Sequence, residues 1–184
     1  MKIKYSKKID KEVFNEVNKE CPRLAPIMGF KFEKIALDDK AIIIAKKIAK
    51  SAKYFIDEKK LKETMGSIYG KELPDITVYV NTTPFSTWNI KGKWVSVSYV
   101  MAANGRFFYA ICHEANHFMY DYCFGIEKYQ DTEIKETITV VNNAFGIYDS
   151  GWSKFKEQRK RALEIYNKTK DIKAVINDFK KSWQ

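Results

Sequence analysis

His113-Glu114-Ala115-Asn116-His117 contains both histidines of a 184-residue chain. A spacing of four places both on one face of an α-helix, one turn apart. Two imidazoles so arranged can close on a single Zn²⁺ from one rigid element. Glu114 lies about 100° round the helix from His113. That is too far to join as a ligand, and near enough to take a proton from a water at the metal. The residue types and their spacing point to hydrolytic chemistry at a zinc ion.

The chemistry requires a helix. From Asn104 to Cys123 there is no proline; Asn104 reads as an N-cap and Gly125 as a terminator. Phe107, Ile111, Ala115, Phe118 and Tyr122 cluster on one side, with Phe108 and Met119 beside them. Arg106, Ala110, His113, His117 and Tyr120 take the opposite side, so both histidines are expected to point away from the core. A lone helical histidine is most often a satisfied core or surface residue. A pair at ligand spacing, with a glutamate between, suits that reading poorly.

A catalytic zinc takes three protein ligands and leaves one position open. The chain has no third histidine, which excludes a three-histidine site within one copy. The third ligand must be Asp, Glu or Cys. Residues 131–145 read as the next helical segment, with Ile134, Ile138, Val141 and Phe145 as its core stripe. Glu136 lies opposite that stripe, among Thr132, Val140 and Asn143. Glu133 is one turn earlier and about 60° round. The ordinary fate of either glutamate is a solvated surface.

An H-E-x-x-H motif followed by a glutamate on a second helix resembles the gluzincin metallopeptidases, and in size their minimal forms. His113, Glu114, His117 and Glu136 match that pattern, and the likeness covers roughly residues 76–150. Glu136 stands 19 positions after His117 and Glu133 stands 16 after it; the first is similar to the family's shorter spacings, so Glu136 is preferred. The resemblance implies a zincin-like α+β fold: a small antiparallel sheet or hairpin, the H-E-x-x-H helix, then a third-ligand helix. It also implies one Zn²⁺ per chain and hydrolysis of peptide or protein substrates, with Glu114 activating the water. An oxyanion donor is expected as well. Tyr129, between the second and third ligands, is the choice; Tyr120, Tyr148 and Arg106 are also near. Carboxylates that orient the imidazoles are expected, with Asp121 and Asp131 both open for that role. In the family an edge strand beside the metal pairs with the substrate backbone.

The preceding sequence suits such a sheet. Ile76, Val78 and Val80 alternate along one strand. Residues 86–90 and 93–99 flank Lys91-Gly92 as a hairpin turn. Val95, Val97 and Tyr99 are expected to face the core, and Trp94, Ser96 and Ser98 the other way.

The rest of the chain sets bounds. Its length suits a single domain, 1–184, with a catalytic core over 76–150 and helical extensions over 1–75 and 151–184. Residues 8–20 read as a short helix, and Cys21 to Gly29, with Pro22 and Pro26, as a loop. Asp38 is expected to cap a long helix reaching about Met65, with Ile44, Ile48, Ala52 and Phe55 as its stripe. After Gly151 a charged helical segment breaks near Asn167–Lys170, and Ile172, Val175, Ile176 and Phe179 share a face beyond it. Three cysteines, an odd count, argue against a disulfide framework; Cys21 could cap the zinc in a latent form. Met1 to Lys11 is charged and lacks the apolar run of a signal peptide. The longest apolar run, residues 41–45, is too short for a bilayer, so a cytoplasmic protein without membrane partners is expected. The net charge of +10 reads as a solvated basic surface that steers acidic partners. Two other readings stand beside the metallopeptidase: a latent or inactive metallopeptidase fold serving as a binding module, and a basic helical nucleic-acid-binding protein with an incidental motif. No sequence motif of the usual nucleic-acid-binding families is present.

Overall fold

Alternating apolar residues build the sheet on which everything else is laid. The computed structural model describes residues 1–36, 38–54 and 56–182. In it β1 (Lys2–Lys4), β2 (Thr77–Asn81), β3 (Thr87–Asn89) and β4 (Trp94–Ser98) form one sheet in the order β1-β2-β4-β3. β1 runs parallel to β2, and β2 parallel to β4, with Val78 opposite Val95 and Val80 opposite Val97. Only β3 and β4 pair antiparallel, with Trp88 opposite Val95. The hairpin expected at Lys91-Gly92 is present, but the sheet is mixed rather than antiparallel. β4 slots between β2 and β3, and the charged triplet of β1 takes its register from β2.

The helices are α1 (Lys7–Met28), α2 (Asp39–Ser51), α3 (Glu58–Tyr69), α4 (Tyr99–Ala103), α5 (Phe107–Phe124), α6 (Thr132–Ile138), α7 (Lys156–Thr169) and α8 (Ile172–Ser182). Single 3-10 segments cover Ala52–Tyr54, Thr139–Phe145 and Ser153–Phe155. The described residues thus make an α+β fold. Val78, Val80, Val95 and Val97 bury one face of the sheet against Ile111, Ala115, Phe118 and Met119 of α5. Leu61 and Met65 of α3 join that core, as do Ala162, Tyr166, Val175 and Phe179 of α7 and α8. The outer segments, 1–75 and 151–184, contribute residues to the same core as the central one.

The second face of the sheet is covered too. Val13, Val17 and Cys21 of α1 pack there with Trp94. β4 is consequently buried along its whole length, Ser96 and Ser98 included, as a strand covered on both faces must be. The hydroxyls are satisfied internally. Ser98 donates to the Thr83 carbonyl at 2.7 Å, and Ser96 accepts from Asn81 Nδ2 at 2.9 Å. Trp94, Ser96 and Ser98 do face away from the main core, but into a second apolar cluster.

Three boundaries differ from the sequence expectation. α1 continues through the expected loop at 21–29, with Pro22 and Pro26 inside it. Both prolines are exposed and lie one turn apart, so the carbonyls that lose N–H partners sit on the solvent side. The buried stripe of Val13, Val17, Cys21, Ala25 and Met28 outweighs the break. The expected long helix from Asp38 to Met65 is two helices. Asp38 does cap α2, accepting from Lys40 N at 2.9 Å, and Asp57 caps α3, accepting from Lys60 N at 2.8 Å. α2 faces the core through Ala41 and Ala45, while Ile44 is exposed; Phe55, placed in its stripe, lies outside the described residues. Asn104 closes α4 instead of opening α5, which starts at Phe107 and ends at Gly125 in the left-handed conformation (φ 65°). Beyond the site, α7 ends at Lys170 and α8 buries Ile172, Val175, Ile176 and Phe179, as the sequence pattern implies. Among the described residues no helix is long and apolar enough to cross a membrane.

Asp10 pins α1 to the end of β2. Its buried carboxylate accepts the Thr82 N–H at 2.7 Å, the Thr82 hydroxyl at 3.0 Å and the Tyr5 hydroxyl at 3.1 Å. Asp10→Ala strands the Thr82 N–H and should cost about 1–3 kcal/mol. Urea unfolding should show this as a lower midpoint with an unchanged slope.

Candidate metal centre

The residues between the two histidines hold the helix in place. Ala115 is fully buried, and Asn116 accepts from the Tyr69 hydroxyl of α3 at 2.7 Å and donates to Asn142 at 3.2 Å. These contacts fix the rotation of α5. The helix is surrounded almost completely, so the side expected to face outward is buried as well: Ala110, His117 and Tyr120 are inside. Tyr120 gives its hydroxyl to Asp131 at 2.9 Å, which removes it from the candidate oxyanion donors.

α6 brings Glu136 to the two histidines. The ligand atoms of His113, His117 and Glu136 lie within 4.8 Å of one another, and no other such group of His, Cys, Asp and Glu occurs among the described residues. The two Nε2 atoms are 3.0 Å apart. Glu136 Oε2 is 3.4 Å from His113 Nε2, and its Oε1 is 3.3 Å from His117 Nε2. Glu133, the other candidate on α6, is not in the group.

Each imidazole has its own support. His113 Nδ1 lies 2.7 Å from Asp149 Oδ2. An ionised carboxylate only accepts, so the proton sits on Nδ1, and Nε2 faces the other ligands. Arg159 of α7 holds Asp149 in turn, donating to its Oδ1 at 2.7 Å and its carbonyl at 2.9 Å. The other nitrogen of that guanidinium donates to the Glu136 carbonyl and, at 2.6 Å, to Thr139 Oγ1. Gly151 makes room for it: a Cβ there would lie 2.3 Å from Arg159 Cζ, and φ is +55°. His117 packs against the Trp88 ring at 4.7 Å between centroids. Trp88 Nε1 donates to Asp121 at 2.7 Å, and Asp121 pairs with buried Lys135 at 2.5 Å. Lys135 also donates to the carbonyls of Glu127 and Lys128.

Of the two carboxylates expected to orient imidazoles, Asp121 therefore acts through Trp88, and Asp131 serves Tyr120. The carboxylate that does touch a histidine, Asp149, was not foreseen. It stands 36 positions from His113 in a segment without motif, and only the packing of α7 brings it in. Arg159 was missed for the same reason.

The electrostatics follow from burial among like and unlike charges. Burial alone would depress His113, but Asp149 and Glu136 outweigh it, and its pKa stands well above the usual histidine value. Burial lowers His117. Burial would raise Glu136, yet the two imidazoles hold it well below the usual carboxylate range. Asp149 is likewise brought down to about 2 against its burial, chiefly by His113 and then by Arg159. Glu114, buried with one oxygen unpartnered, is pushed up to about 8.

These features fit a cation. Three acceptor atoms converge in a buried spot, and buried acceptors of that kind require a proton or a positive ion. With Asp149 and Glu136 beside it, His113 favours its protonated form. Two imidazoles and one carboxylate are a donor set that suits Zn²⁺.

His113, Glu114 and Glu136 open onto a cleft of about 450 Å³. Tyr129 also lines it, but its hydroxyl is donated to Glu16 of α1. Tyr148, next to Asp149, lines it as an exposed side chain, and Arg106 lies there as well. Cys21 reaches the cleft wall with its thiol pushed up to about 11 by burial, and it is not in the ligand group. Comparison of the chain with protein-family models, with curated proteins and with solved structures finds no match.

Zinc uptake at pH 7 should release a proton, because the cation must displace the one that His113 retains. Affinity should therefore rise with pH through the neutral range. Calorimetric titrations in buffers of different ionisation enthalpy count that proton. Asp149→Ala should weaken zinc binding by about 10–100-fold and reduce the proton release.

Proposed function

We propose that this chain is a zinc-dependent peptidase of minimal gluzincin type. One observation carries the reading: the buried carboxyl of Glu114 opens onto the same cleft as a His113–His117–Glu136 group whose first imidazole is oriented by Asp149. Zn²⁺ held by these three residues would polarise a substrate carbonyl, acidify a water and favour the ionised form of Glu114.

The chain's own residues account for the remainder. Glu114 takes the proton of the attacking water and delivers it to the departing amine. Burial places its pKa near the working range of a general base. Asp149 keeps the His113 proton on Nδ1, so Nε2 remains a ligand atom. Trp88 covers His117 and limits access of bulk water. For the developing oxyanion, Tyr148 is the better-placed hydroxyl. It lines the cleft without a hydrogen bond among the described residues, whereas Tyr129 must first leave Glu16.

A latent form is a second reading, and one contact favours it. Glu16 of α1 takes the Tyr129 hydroxyl and pairs with Lys128, which ties the α1 wall of the cleft to the segment before α6.

Glu114→Gln should retain zinc at about one per chain and lose peptide hydrolysis by a factor on the order of 10²–10⁴. Glu136→Ala should lose the zinc as well. Metal analysis beside a peptide-digestion assay reads both. Full activity in Glu114→Gln would end the hydrolytic assignment, and undiminished zinc affinity in Glu136→Ala would remove it from the ligand set.

A further inference from the structure

One wall of the cleft is a single stripe of α1. Glu16, Glu20, Leu24 and Met28 recur every fourth residue along it and all line the cleft. The twelve helical steps from Glu16 to Met28, at about 1.5 Å each, span roughly 18 Å. An extended peptide rises about 3.3 Å per residue, so the groove has the length of about five residues. The segment Pro84–Trp88, which runs into edge strand β3, also lines the cleft.

The two ends of this groove differ in chemistry. At the end beside His117, Glu16 meets Tyr129 and Lys128, and Lys128 lies over the Trp88 ring at 5.2 Å. The other end is aromatic. Phe30 stacks on Trp152 at 5.0 Å with 15° between planes, and Phe85 lies 5.6 Å from Phe30. All three rings are only partly buried, and all line the cleft. They are close to the candidate chemistry along the chain. Trp152 follows Asp149 by three residues, and Phe85 precedes Trp88 by three. The arrangement is held before any ligand arrives: Lys154 donates to the Ile27 carbonyl at 2.7 Å, tying the end of α1 to the segment after Trp152. Leu24 and Met28 add apolar surface without charge.

We infer that this end of the cleft is a subsite for one bulky apolar side chain of an extended peptide, walled by Met28, Phe30, Phe85 and Trp152. The assignment rests on the peptidase reading and adds its substrate class. A ring or branched aliphatic chain seated there removes its own surface and the exposed parts of the three rings from water. The peptide backbone is left to run along α1 past the ligand group.

Digestion of a mixed peptide library by zinc-loaded protein, read by mass spectrometry, tests it. Phe, Tyr, Trp, Leu or Met should dominate at one fixed position relative to the cut bond. Phe30→Ala and Trp152→Ala, made separately on two different segments, should each raise KM for such peptides by about tenfold and flatten the preference, with zinc content unchanged. Cleavage without preference at any position, or a preference that survives both substitutions, overturns the subsite while leaving the peptidase reading intact. If no peptide is cut, the peptidase reading fails, and calorimetry on the as-purified Glu114→Gln protein decides the subsite. A blocked alanine peptide carrying one phenylalanine should then bind more tightly than its all-alanine counterpart, and Phe30→Ala should abolish the difference. Equal affinity for the two peptides overturns the assignment.

Discussion

Two imidazole nitrogens 3.0 Å apart, with a carboxylate within 3.4 Å of each, form a buried cluster of acceptors. Acceptors so close together repel one another unless a proton or a cation lies among them. The protein keeps it together by bracing it from both sides. On one side Arg159 clamps Asp149, and Asp149 clamps His113. On the other Lys135 clamps Asp121, Asp121 holds Trp88, and Trp88 lies on His117. Both braces are buried ion pairs, which are poor sources of net stability but costly to break singly. That cost is what prevents the ligand group from collapsing.

The braces come from elements far apart in the chain, and the sheet makes their meeting possible. β4 is covered on both faces, by α5 on one and α1 on the other. α5 is thereby centred in the molecule, with α3, α4 and α6 packed round it. α1 in turn carries past β3 and becomes the wall of the cleft, still helical through two prolines because its buried stripe is worth more than the missing hydrogen bonds. One helix thus serves as cover for the sheet and boundary for the site.

The same geometry gives the cleft its polarity. The chain leaving Asp149 runs at once into Gly151 and Trp152, and the chain entering Trp88 comes from Phe85. Residues that brace the ligands and residues that shape the groove therefore lie on the same short segments.

The local pattern of the sequence was sufficient for some features. The four-residue spacing of His113 and His117, with Glu114 between, depends only on helical geometry, as does the placing of Glu136 opposite Ile134 and Ile138 on α6. The alternation at 76–80 and the breaks at Gly125 and Lys170 are local too, so they could be read directly. Other features depend on partners remote in sequence. That Trp94 and Ser96 are buried follows from α1 lying over them. That the sheet is mixed follows from β4 entering between β2 and β3. That Pro22 and Pro26 sit within a helix follows from the core contacts of their neighbours. Asp149 and Arg159 carry no motif, because a hydrogen bond across 36 residues constrains only where two side chains end up. The sequence determined which groups could bind an ion and act as a base; tertiary packing alone decided which carboxylates orient them and what kind of groove they face.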